Sequence, residues 1–136
     1  METKVKKQSV SQVSNQNKEL AQFIGEIFSF NVSLKLFHWH VTGPASYAQH
    51  MALDQAVESL TETLDAVAET SYALVGDMDI LVPQTKSPQH IIKHIEGFYD
   101  HVQDRRHLFT EDFSAGLMDD LQEAMQQLLY RLKRLS

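Results

Sequence analysis

Residues 46–75 read SYAQHMALDQAVESLTETLDAVAETSYALV. Leu53, Val57, Leu60, Leu64, Val67, Ser71 and Leu74 recur at intervals of three and four, which is one stripe on an α-helix. The helix starts near Pro44–Ser46 and runs to about Val75, with Gly76 placed to cap it. At 1.5 Å per residue it spans about 45 Å, long for a chain of 136 residues.

The flanking segments follow from this helix. Upstream, Leu20, Phe23, Ile27, Phe30, Leu34 and Phe37 form a second helical stripe. It ends near Val41-Thr42-Gly43-Pro44, where glycine caps and proline blocks continuation. Downstream, residues 76–88 (GDMDILVPQTKSP) form a connection, and Ser87-Pro88 suits a helix start. A third helix carries Ile91, Ile95, Phe98, Val102 and Phe109. After a break at Glu111–Gly116, a fourth carries Leu117, Leu121, Met125, Leu128, Leu132 and Leu135. No segment alternates with strand period. The expected class is therefore all-α, an antiparallel four-helix bundle. The 76–88 link is long enough to cross the bundle, which would set helices two and three parallel, as in ferritin-like bundles. Residues 1–18, with Lys4, Lys6, Lys7 and Lys18, read as a flexible basic tail, and 19–136 as the bundle.

Composition narrows the function. Apolar residues make up 43% of the chain, enough for a core, and there are no cysteines. Disulfides, thiolate zinc sites and cysteine nucleophiles are excluded together. The net charge of −6 does not suit a general nucleic-acid binder, although the basic tail could hold DNA phosphates if many copies were assembled. No apolar run is long enough to span a bilayer, and no secretory signal is visible, so the expected location is cytoplasmic.

The long helix carries a second stripe that is not apolar. At 100° per residue, His50, Asp54, Asp65 and Glu69 fall within an arc of about 100°, beside the core stripe. Each of the two pairs is four residues apart and can hold one ion. Imidazole with carboxylates and no thiolate suits iron, manganese or zinc. Yet His50 and Asp65 lie about 22 Å apart along the axis, so one chain offers two half-sites. A two-fold axis near Ser59–Leu60 would set His50 and Asp54 against the partner's Asp65 and Glu69, and would build the same site twice. His38, at the end of the first helix, is folded back toward His50 by the turn.

The stretch His38 to Thr70, HWHVTGPASYAQHMALDQAVESLTETLDAVAET, resembles the signature of the Dps family of miniferritins. It has His-Trp, then Gly-Pro, then His and Asp four apart, then Asp and Glu four apart. The resemblance implies a ferritin-like bundle, a dodecameric shell and a ferroxidase that oxidises Fe²⁺ with hydrogen peroxide or oxygen and stores Fe³⁺. It implies His38, His50, Asp54, Asp65 and Glu69 as iron ligands, with zinc as a substitute, and Trp39 beside the site. His38, His50 and Asp54 would come from one chain, Asp65 and Glu69 from its two-fold partner. Asp65 and Glu69, with His38 and Trp39, are the residues expected to carry the chemistry.

Two competing readings go with the same residues. One is a non-catalytic metal-binding or shell-forming protein whose site holds zinc or nothing. The other is a DNA-compacting protein. Surface charge is the ordinary role of Asp and Glu on a long helix. His90, His94 and His101 read as surface histidines of the third helix, His40 as solvated, Glu58 as structural, and Glu111 and Asp112 as wet loop acids.

Overall fold

A computed structural model describes residues 10–135, and the side chains of residues 15–135. Four α-helices make up the described chain: α1 (Val10–His40), α2 (Ser46–Val75), α3 (Ile91–Arg105) and α4 (Asp112–Leu135). Among the described residues there is no strand. α1 and α2 pack on each other, α2 packs on α4, α3 packs on α4, and α1 touches α3 more lightly. Consecutive α2 and α3 are not a packed pair.

The stripes read from the sequence are the core. Leu20, Phe23, Ile27, Phe30 and Leu34 of α1 are buried, as are Leu53, Leu60, Leu64 and Val67 of α2. Ile95 and Val102 of α3 meet them, with Leu121, Met125, Leu128 and Leu132 of α4; Met118 is fully buried where the stripe had placed Leu117, which is only partly buried. Each large apolar side chain so buried contributes about 1.5–3 kcal/mol. An aromatic ladder joins α1 to α3: Phe30 stacks on Phe98 at 4.3 Å between centroids, and Phe23 meets Phe98, His101 and Phe109.

Several boundaries differ from expectation. α1 begins at Val10, so the expected tail overlaps it from there; Lys4, Lys6 and Lys7 lie outside the described residues. α3 starts at Ile91, after His90 in an extended conformation, rather than at Ser87-Pro88. Residues 87–89 are in non-helical backbone. α3 also ends earlier, at Arg105, and a short 3-10 turn (Arg106–Leu108) turns Phe109 into the core. Arg106 clamps that corner, donating to the side chains of Gln122 at 2.7 Å and Asp119 at 2.6 Å. α4 begins at Asp112, inside the expected break. Leu74, placed on the core stripe by periodicity, is exposed.

The strap of residues 76–90 passes over α1. A Cβ added to Gly25 would collide with the carbonyl oxygen of Leu81. Glycine is therefore required by another segment's backbone. Met78 and Ile80 pack on the core, and the Tyr72 hydroxyl donates to the Met78 carbonyl at 3.2 Å.

Candidate metal centre

The α1–α2 turn is tight because Gly43 takes φ 97°, a conformation glycine adopts freely. The Ser46 amide donates to the Gly43 carbonyl at 3.0 Å and starts α2 at once. The turn lays the last turns of α1 against the first turns of α2. His38 then stacks on His50, with ring centroids 3.6 Å apart. His38 Nε2 faces Asp54 Oδ1 at 3.5 Å.

His38 is only 4% exposed, and neither of its ring nitrogens has a hydrogen-bond partner. Leaving buried polar atoms unpaired costs about 1–3 kcal/mol. Burial pushes the His38 pKa down; the His50 and Lys35 charges push the same way, and Asp54 opposes them. The ring is thus kept neutral, as a metal-binding imidazole must be. Asp54 is held below the usual carboxylate range by Lys35, which donates to Oδ1 at 3.1 Å. Lys35 was not among the residues singled out from the sequence, though it lies one turn before His38.

A cleft of about 420 Å³ opens on the pair, lined by His38, Trp39, Val41, Ser46, Tyr47 and His50. Trp39 is 67% exposed on its rim. Asp65 and Glu69 stand farther along α2, both exposed, and neither is engaged in a hydrogen bond or ion pair among the described residues. The structure brings His38, His50 and Asp54 together and leaves Asp65 and Glu69 apart from them. Among the described residues, no group of three or more His, Cys, Asp or Glu side chains is arranged to hold a metal ion within one chain. Glu58 is exposed between the two sets, and His40 is exposed as well.

Two further features escaped the sequence reading. Asn31 is buried on α1, and both its amide atoms lack partners. His94 and His101 are half-buried against α1 rather than on the surface. His94 Nε2 lies 2.7 Å from Ser33 Oγ, and His101 Nε2 lies 2.7 Å from Glu26 Oε1. The signal available was that His94, Phe98 and His101 share one helical face with apolar Ile91 and Ile95.

Residues 38–132 match the model of a family of unknown function, DUF5856. The chain belongs to this family. It is also similar to an uncharacterized low temperature-induced protein of Nostoc sp. strain PCC 7120, with 26% identity over 114 residues, 84% of this chain and 56% of that protein. A homologue of that protein in Anabaena variabilis matches equally. The chain thus spans little more than half the length of these relatives. No solved structure matches.

These findings correct the expected membership of the Dps family, because the matching family model is DUF5856. The quoted signature is local, carried by one helix end, one turn and one helix. Spacing that helical geometry alone can produce does not fix the family of a whole chain. Among the described residues, no helix is long and apolar enough to cross a membrane.

Proposed function

We propose that two copies of this chain pair through the exposed face of α2 and close two identical metal sites. Each site takes His38, His50 and Asp54 from one chain and Asp65 and Glu69 from its partner. The substrate is Fe²⁺, which hydrogen peroxide or oxygen oxidises. The ferric product is retained, which limits oxidative damage, with the cytoplasm as the expected compartment. The observation that carries this reading is His38: a buried, neutral imidazole with two unpartnered nitrogens, set against another imidazole and a carboxylate. Burial without a partner is costly, and a coordinated cation removes that cost.

The chain's own residues supply the rest. The carboxylates of Asp54 and of the partner's Asp65 and Glu69 would favour Fe³⁺ over Fe²⁺ by charge. Reducing one peroxide to two waters takes two electrons and two protons, so two Fe²⁺ ions are consumed together, and Asp65 is the carboxylate proposed to touch both. The dimer is the assembly that the half-sites require. The twelve-subunit shell rested on the family resemblance alone. We also read the strap between α2 and α3 as a crossover that leaves these helices parallel and diagonal. This is supported by the packing of α1 with α3 and α2 with α4 and by the passage of the strap over Gly25.

Complementation tests the site. A chain with His38→Ala and His50→Ala, and one with Asp65→Ala and Glu69→Ala, should each be inactive toward Fe²⁺ plus peroxide. Mixed dimers restore one intact site in two and should recover up to about half the wild-type rate per dimer. Equal rates in wild type and in either double variant would overturn the assignment. If the metal binds without oxidation, the site is a zinc-type holding site, for which the same donors suffice.

A further inference from the structure

Beneath the strap lies a second group of titratable side chains, separate from the metal centre. A cavity of about 280 Å³ is lined by Glu26, Ser29, Ser33, Thr85, His94 and His101, among others, over the stacked rings of Phe30 and Phe98. Pro83 and Thr85 of the strap form its rim.

Two imidazoles bridge α1 and α3 here, and they differ in one respect. His101 Nε2 faces the Glu26 carboxylate at 2.7 Å. His94 faces only a hydroxyl. The Ser33 hydroxyl has one hydrogen and donates it to the Phe30 carbonyl at 2.6 Å. Its oxygen must therefore accept from His94 Nε2–H, so a second proton can enter His94 only at Nδ1. The titratable groups that line the cavity with His94 are Glu26 on α1 and His101 on α3; the strap and α4 bring no charge to that lining. Glu26 is already committed to His101, about 10 Å farther along α3.

The strap itself is weakly held. Among the described residues, no backbone–backbone hydrogen bond involves residues 77–89. Leu81, Val82, Pro83 and Gln84 are exposed. Its hold on the bundle is the packing of Met78 and Ile80, the approach of the Leu81 backbone to Gly25, and the Tyr72 contact. Segments with few such contacts open at low cost.

We propose that residues 81–86 are an acid-released cover: protonation of His94 frees them from α1 and α3, while the Glu26–His101 pair keeps those two helices together. The proton binds better once the cover is open and water reaches the ring. Burial alone pushes the His94 pKa down, which agrees in sign. The open fraction grows as pH falls below about 6.5, by at most tenfold per pH unit.

The test uses the absence of cysteine in the chain. Val82→Cys carries a spin label, whose mobility is followed from pH 8 to pH 5 together with helix content. The mobile fraction should rise in this labelled parent, stay flat with His94→Gln, which keeps a donor to Ser33, and still rise with His101→Gln. No rise in the parent, or an equal rise with His94→Gln, overturns the proposal, as does a parallel loss of helix content in the parent. Should His94→Gln itself unfold, the ring titration of His94 by NMR in the parent decides. A midpoint matching label release supports the proposal, and a separate midpoint overturns it.

Discussion

Lys35 Nζ lies 3.1 Å from Asp54 Oδ1, the same oxygen that His38 Nε2 faces at 3.5 Å. In the absence of metal, an ammonium thus stands against a carboxylate that the proposed site needs. Lys35→Ala is expected to tighten binding of a probe metal such as Co²⁺ by up to about fivefold, since both side chains are well exposed and such pairs are weak. Calorimetric titration of both proteins measures it. Weaker binding in the variant would show that Lys35 supports the site.

The two sets of donors on α2 predict that metal and dimer are linked. Zn²⁺ or Co²⁺ should shift a dilute sample from monomer toward dimer, because ligands that bind one state favour it by mass action. Sedimentation at fixed protein concentration reads this. The shift should vanish with Asp65→Ala and Glu69→Ala, which leave the first half-site untouched.

Gly25→Ala should destabilise the fold by about 1–3 kcal/mol, the usual cost of overpacking, because the new methyl meets the Leu81 carbonyl. Thermal unfolding measures the loss. Faster tryptic cleavage after exposed Lys86 would report that the strap has moved. A variant as stable and as resistant as wild type would contradict the close approach.

Stability should fall on mild acidification. Burial lowers the pKa of both His38 and His94, so between those folded values and about 6.5 the unfolded chain binds more protons. The neutral rings carry no penalty above pH 6.5; the penalty grows as pH drops through it and levels off below the folded values. Asp54 acts in a different window. Its pKa is lowered by Lys35, so its contribution is present above about 3.9 and is lost as pH falls further. Denaturant melts at pH 7.5, 6 and 5 should therefore show declining midpoints, with a smaller decline in His38→Gln.

What the sequence made legible was whatever depends on one helix at a time. Leu53, Leu60, Leu64 and Val67 were assigned to a core face and are buried there. Gly76, read as a cap, takes φ 85°. The nearness of His38, His50 and Asp54 followed from a helix, a tight turn and a helix. What was not legible depends on two elements meeting. His94 and His101 were read as solvated because periodicity does not say that Ser33 and Glu26 lie opposite them. Lys35 was passed over because its partner sits across the turn. Phe109 was read as helical, whereas the 3-10 turn at Arg106–Leu108 brings it to the core by another route. Family membership was misread because a local pattern of ligand-type residues was taken to represent the whole chain.

The demand for glycine at position 25 has a consequence of its own. It is imposed by residue 81, not by the helix that contains it, and in an isolated α1 the substitution to alanine would strengthen the helix by roughly 1 kcal/mol. The sign of that single change therefore depends on whether the strap is in place. In chains whose strap has been cut or lengthened, alanine at 25 should turn from a lesion into a benefit, so a selection for stability would report strap docking without a probe on the strap itself.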